Sequence, residues 1–131
     1  MRVIKVLLLA VALAVVVALG SYLFAPQQFV RGAIALERWT AGLQRHELEI
    51  PGFRIAYLDS GGSGAPLVLV HGFGADKDTW VRTARPLRGQ LRVIALDLPG
   101  YGESDSPTDA QYTIAEQVAR LRAFIQALGL T

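Results

Sequence analysis

The chain has 131 residues, enough for one small domain at most. Thirteen basic and eleven acidic residues leave a formal charge of +2 with no Lys/Arg run, which argues against a nucleic-acid partner. The absence of cysteine excludes disulfides, thiolate metal sites and a cysteine nucleophile, and no metal or cofactor is expected.

The first element is apolar. No residue from Val6 to Ala25 carries a charge, and a helix of that length rises far enough to cross the ~30 Å hydrocarbon core. Arg2 and Lys5 precede the run and Pro26 follows it. Residues 1–25 are therefore expected to be a single-pass anchor. A cleaved signal would have a shorter apolar region and a small-x-small exit, whereas the exit here is Tyr22-Leu23-Phe24. A buried soluble helix is the third reading. Arg2 and Lys5 favour a cytoplasmic N-terminus, with the body on the outer, periplasmic or extracytoplasmic face.

Residues 26–45 read as a connector, with a second helix over 27–45. Phe29, Leu36 and Leu43 fall seven apart, as do Arg31, Arg38 and Arg45, which gives an apolar and a basic stripe on different faces. Such a helix either lies on the bilayer, with Trp39 at headgroup level, or packs on the domain as an ordinary connector.

The body, residues 46–131, alternates strands and helices. Leu48-Glu49-Ile50 and Phe53-Arg54-Ile55-Ala56-Tyr57 alternate about Pro51-Gly52, which predicts a hairpin. Ser60 to Gly64 is a loop. Leu67-Val68-Leu69-Val70 suits a strand buried on both faces. A short helix is expected from an Asp78 cap to about Leu87, with Pro86 a poor fit inside it. Asp76, Lys77 and Asp78 read as a solvated helix start. Arg92 to Leu96 is another buried strand. Thr113 and Glu116 form a capping box for a helix carrying Ile114, Val118, Leu121, Ile125 and Leu128, and Gly129 sits where it should end. A hairpin followed by strand-helix-strand-helix predicts an α/β mixed sheet with a parallel part.

His71-Gly72-Phe73-Gly74 follows the third strand directly, and Asp97-Leu98-Pro99-Gly100-Tyr101-Gly102-Glu103-Ser104 follows the fourth. This pair resembles the α/β-hydrolase fold superfamily over roughly residues 46–131. The stretch from His71 to Trp80, behind an N-terminal apolar helix, is similar to the membrane-anchored monoacylglycerol-lipase branch and its bacterial lipase and esterase relatives. The resemblance implies the N-terminal half of an α/β-hydrolase sheet, with the third strand between the fourth and fifth. It implies hydrolysis of lipid-like esters, with membrane lipid and a small ester as partners.

Acyl transfer builds negative charge on a carbonyl oxygen, and fixed backbone N–H donors stabilise it. The family pattern takes one donor from the loop after the third strand, on the residue following His-Gly, here Phe73. Gly72 and Gly74 are expected to allow close backbone approach and positive φ. The resemblance makes His71 an orienting residue of the loop rather than the catalytic histidine. Asp97, Gly100 and Gly102 are expected to shape the second turn.

The family's nucleophile, acid and histidine come later in the chain. This sequence has no Gly-x-Ser-x-Gly and no histidine after His71. No catalytic residue is therefore expected among these 131 residues, which read as the front part of a longer hydrolase or as a non-catalytic truncated product. Epoxide hydrolases, haloalkane dehalogenases and C–C hydrolases share much of this front half, and the nucleophile's identity would separate them.

Overall fold

The computed structural model describes residues 2–130, and its contacts divide the chain between Leu36 and Glu37. In the first unit, α1 spans Arg2–Phe24, and among the described residues it is the one helix long and apolar enough to cross a membrane. It stops at Pro26, which lacks an N–H and disfavours helical geometry in the residue before it. The same proline opens α2, Pro26–Thr40, where its missing donor costs nothing. Tyr22 and Phe29 meet edge to face, with ring centroids 5.8 Å apart.

α2 ends five residues earlier than the seven-residue stripes predict, and Gly42 is the reason. It adopts φ 72°, its N–H bonds the Trp39 carbonyl, and the Leu43 N–H bonds the Arg38 carbonyl, which closes the helix. Leu43 then enters the core beside Ala41, and Arg45 lies in the first strand. The basic stripe therefore does not run along one helix.

The second unit holds a four-stranded sheet. β1 is Gln44–Ile50, β2 Phe53–Asp59, β3 Ala65–Val70 and β4 Leu91–Leu96. Their order is β1-β2-β4-β3. β2 pairs antiparallel with both β1 and β4, while β3 and β4 run parallel. Pro51 and Gly52, at φ 81°, make the hairpin turn. Among the described residues β3 bonds only β4 and is half-exposed, not buried on both faces as the apolar run predicts. β4 alternates instead: Val93 and Ala95 face one core, Ile94 and Leu96 the other.

The connection from β3 to β4 covers the first face. It consists of a 3-10 turn at Lys77–Trp80, α3 at Val81–Ala84 and a second 3-10 turn at Arg85–Leu87. The residue that caps it is Asp76, whose carboxylate accepts the Asp78 N–H, not Asp78 itself. α4, Ile114–Ala127, covers the other face. Thr113 accepts the Glu116 N–H at its start, and Gly129, at φ 67°, terminates it. Phe124, fully buried and edge to face with Tyr57 at 5.3 Å, fixes α4 to the sheet. Burial of such a side chain is worth about 1.5–3 kcal/mol.

Candidate functional site

The two parallel strands end side by side, so the loops that follow them are neighbours. From β3 comes His71 to Asp76, and from β4 comes Asp97 to Ser104. His71 is buried between them. Its Nε2 accepts the Leu98 N–H at 3.2 Å, so Nδ1 carries the proton and donates to the Gly72 carbonyl at 2.9 Å. Both ring nitrogens are thereby committed to backbone, and the ring packs edge to face on Tyr101.

The loop beyond His71 is less constrained. Its one internal backbone bond runs from the Ala75 N–H to the Gly72 carbonyl at 3.3 Å. Among the described residues nothing accepts the Phe73 N–H. Phe73 is 96% exposed. Gly74 takes φ 72°, but Gly72 is not in the positive-φ region, and a Cβ at either would meet nothing within 4 Å. The expected positive φ therefore holds at one of the two glycines only. Beside the loop lies a cleft of about 320 Å³, lined by Val70, Leu98, Tyr101, Ile114, Val118 and Leu121 together with residues 71–73. A backbone donor without a protein partner, beside an apolar cleft, is free to stabilise negative charge on a ligand that enters the cleft and displaces water.

The second loop is packed tightly. Gly100 takes φ 90° and Gly102 φ 54°, and a Cβ on Gly102 would lie 2.2 Å from the Asp97 carboxylate. Asp97 is fully buried. Its Oδ1 accepts the Lys77 N–H at 2.6 Å, and its Oδ2 accepts Lys77 Nζ at 2.7 Å and the Glu103 N–H at 2.8 Å. Ser104 Oγ donates to the Asp97 carbonyl and accepts the Ala56 N–H, which ties the loop to β2.

Lys77 is not solvated. It is 1% exposed, and its ammonium also reaches Glu103 Oε1 at 3.1 Å. Asp78 takes both ends of the Arg38 guanidinium, at 2.5 and 2.6 Å, and Arg38 and Arg45 converge on Glu103. Burial alone would raise the Glu103 carboxyl, but the hydrogen bonds from Arg38, Arg45 and Lys77 outweigh it and hold the group at about 2. The Asp78 bond in turn raises the Arg38 guanidinium above its ordinary value. Sequence reasoning missed this network. Lysine among aspartates looks like a wet helix start, and the partners that bury it lie 20 and more positions away. The seven-residue spacing of Arg38 and Arg45 was a signal, but it pointed to a helix face rather than to a shared carboxylate.

Strand order, the glycine loop after β3 and the rigid turn after β4 define an α/β-hydrolase sheet. The chain belongs to the α/β hydrolase fold family, whose model matches residues 65–131. Lipase 1 of Psychrobacter immobilis is 40% identical over 99 residues, covering 74% of this chain and 31% of that protein. A haloalkane dehalogenase of Agrobacterium fabrum is 37% identical over 102 residues, covering 78% of this chain and 30% of the dehalogenase. The solved structure of a membrane phospholipase A has a TM-score of 0.77 and 43% identity, covering 95% of this chain and 41% of that one. The chain thus spans about a third of the length of these two curated relatives.

Proposed function

We propose that the chain is the front half of a membrane-anchored serine hydrolase, a lipase or carboxylesterase acting on lipid-like esters. In this reading α1 is an uncleaved anchor and the body lies on the outer face of the membrane. The chain supplies one side of the catalytic centre: the Phe73 N–H binds the oxyanion, while His71, Gly72 and Gly74 shape its loop and Asp97, Gly100 and Gly102 shape the neighbouring turn. The nucleophile, its acid and its histidine come from the remainder of the protein. The observation that carries the reading is the unpartnered Phe73 N–H at the end of a parallel strand, beside an apolar cleft. The lipase and membrane phospholipase relatives support an ester substrate and an anchor.

The dehalogenase relative favours a second reading, displacement at carbon through an aspartate nucleophile. One experiment separates the two. Full-length protein, recovered from membranes that have been washed with carbonate at high pH, is assayed on p-nitrophenyl butyrate, 1-bromobutane and styrene oxide. Ester hydrolysis by washed membranes supports the proposal. Release of bromide or opening of the epoxide without ester hydrolysis overturns the ester reading. A soluble form beginning after about residue 20 overturns the anchor.

A further inference from the structure

The carboxylate of Asp97 is held from three directions, and two of its three donors belong to one residue, Lys77. Backbone N–H and side-chain ammonium of that lysine grip opposite oxygens of the same carboxylate, at 2.6 and 2.7 Å. The third donor is the Glu103 N–H, and Gly102 presses against the carboxylate so closely that no side chain fits there. A lysine 1% exposed loses most of its hydration, a cost that only close, well-aimed partners offset.

Lys77 stands where the loop after β3 ends. At the loop's other end, His71 bonds the Leu98 N–H. The loop is thus fastened at its two ends to consecutive residues, Leu98 and Asp97, that leave the end of β4. Between those fasteners it has one internal backbone bond, a turn closed by Gly72 and Ala75, and it contains Phe73. Nothing else among its backbone bonds determines where the Phe73 N–H points. Between its ends the loop's further hold is the Phe73 ring, edge to face with Tyr101 at 6.4 Å on a residue that is otherwise exposed, so the backbone there moves when either fastener moves.

We infer that Lys77 and Asp97 are a positioning pair, which sets the Phe73 N–H at the distance an oxyanion needs. This rests on the reading of Phe73 as the oxyanion donor. Neither residue touches substrate; both act through the loop. The network has an outer part that serves as an internal control. Arg38 bonds Asp78 and Glu103 but not Asp97, so its loss weakens the fold without unfastening the loop.

The test compares Lys77→Met, Lys77→Arg and Arg38→Met in the full-length protein. It uses p-nitrophenyl butyrate as substrate and an alkyl trifluoromethyl ketone as tetrahedral analogue, with the folded fraction measured for each variant. Lys77→Met is expected to lower kcat on the order of 10²-fold, the scale of a misplaced catalytic group, with KM within about threefold. Affinity for the ketone should fall in parallel. Lys77→Arg should restore part of kcat, and Arg38→Met should keep kcat per folded molecule. If Lys77→Met does not fold, Asp97→Asn, which keeps the shape, is read in the same way. A folded variant of either residue with full kcat and full ketone affinity overturns the proposal. So does loss of the folded state in both, which assigns the pair to the fold alone. If Phe73→Pro abolishes turnover while the Lys77 variants do not, only the positioning inference fails; if Phe73→Pro turns over normally, the oxyanion reading fails with it.

Discussion

The two loops at the ends of β3 and β4 are neighbours with opposite design. In the second, every oxygen of Asp97 is bonded, Ser104 bridges two strands, and Lys77, Arg38 and Arg45 converge on Glu103. In the first, Phe73 has an unpartnered N–H and a side chain in solvent. Buried polar groups left unpaired cost free energy, so the buried Asp97 turn pairs its own, whereas a donor on an exposed residue is solvated and costs little to leave without a protein partner. A buried loop with its polar groups paired thus stands beside an exposed loop that leaves one backbone donor open. In the proposed reading the paired loop holds position and the open one presents a donor.

Substitutions can sharpen or break this contrast. The largest effect on stability is expected at Gly102. Its backbone is at φ 54° and an added Cβ would overlap the Asp97 carboxylate, so Gly102→Ala should cost about 4 kcal/mol or more, read as loss of cooperative unfolding. A melt close to wild type would mean that the second loop is softer than its geometry implies.

Arg38→Met comes next. It leaves Asp78 and Glu103 without their shared guanidinium, and because both are partly exposed and keep Lys77 or Arg45 nearby, the loss should cost about 1–2 kcal/mol in urea unfolding. No change would place the network outside the stability of the body.

A smaller effect comes with pH. Glu103 is held at about 2, below its ordinary value of 4.5, because the bonds to Arg38, Arg45 and Lys77 favour its charged form. Its contribution is therefore complete above the unfolded value and is lost as pH falls from about 4.5 towards about 2. Stability should decline over that window, and Glu103→Gln should flatten the decline. An unchanged slope in Glu103→Gln would assign the acid sensitivity to another carboxylate.

The smallest effect is expected at Phe73→Ala. The residue is 96% exposed and its ring meets Tyr101 only at its edge, so its removal should change stability by about 0.5 kcal/mol or less. A larger loss would mean that the open loop is braced after all.

The sequence made the local devices legible and hid the distant ones. Pro51-Gly52, the Thr113 cap and the Gly129 stop each act within a few residues, so their roles show in a short window. His71 to Gly74 and Asp97 to Ser104 were visible as motifs, because each directly follows an apolar strand. Phe124 escaped notice because helical spacing from Leu121 admits either position 124 or 125, and only packing against Tyr57 selects between them. Lys77 escaped because its burial depends on Asp97 and Glu103, which the crossover to β4 brings beneath it. At Leu43 and Arg45 the sequence misleads, because a seven-residue spacing continues through Gly42, where the backbone turns away.

The most direct test of the central claim compares Phe73→Pro with Phe73→Ala in the full-length protein. Proline removes the backbone donor, alanine removes only the ring, and a melt of each controls for the constraint on φ. The account predicts a drop in kcat on the order of 10²–10³-fold for proline, the scale of one lost oxyanion donor, and nearly unchanged kcat for alanine. A folded Phe73→Pro enzyme with normal turnover would contradict it.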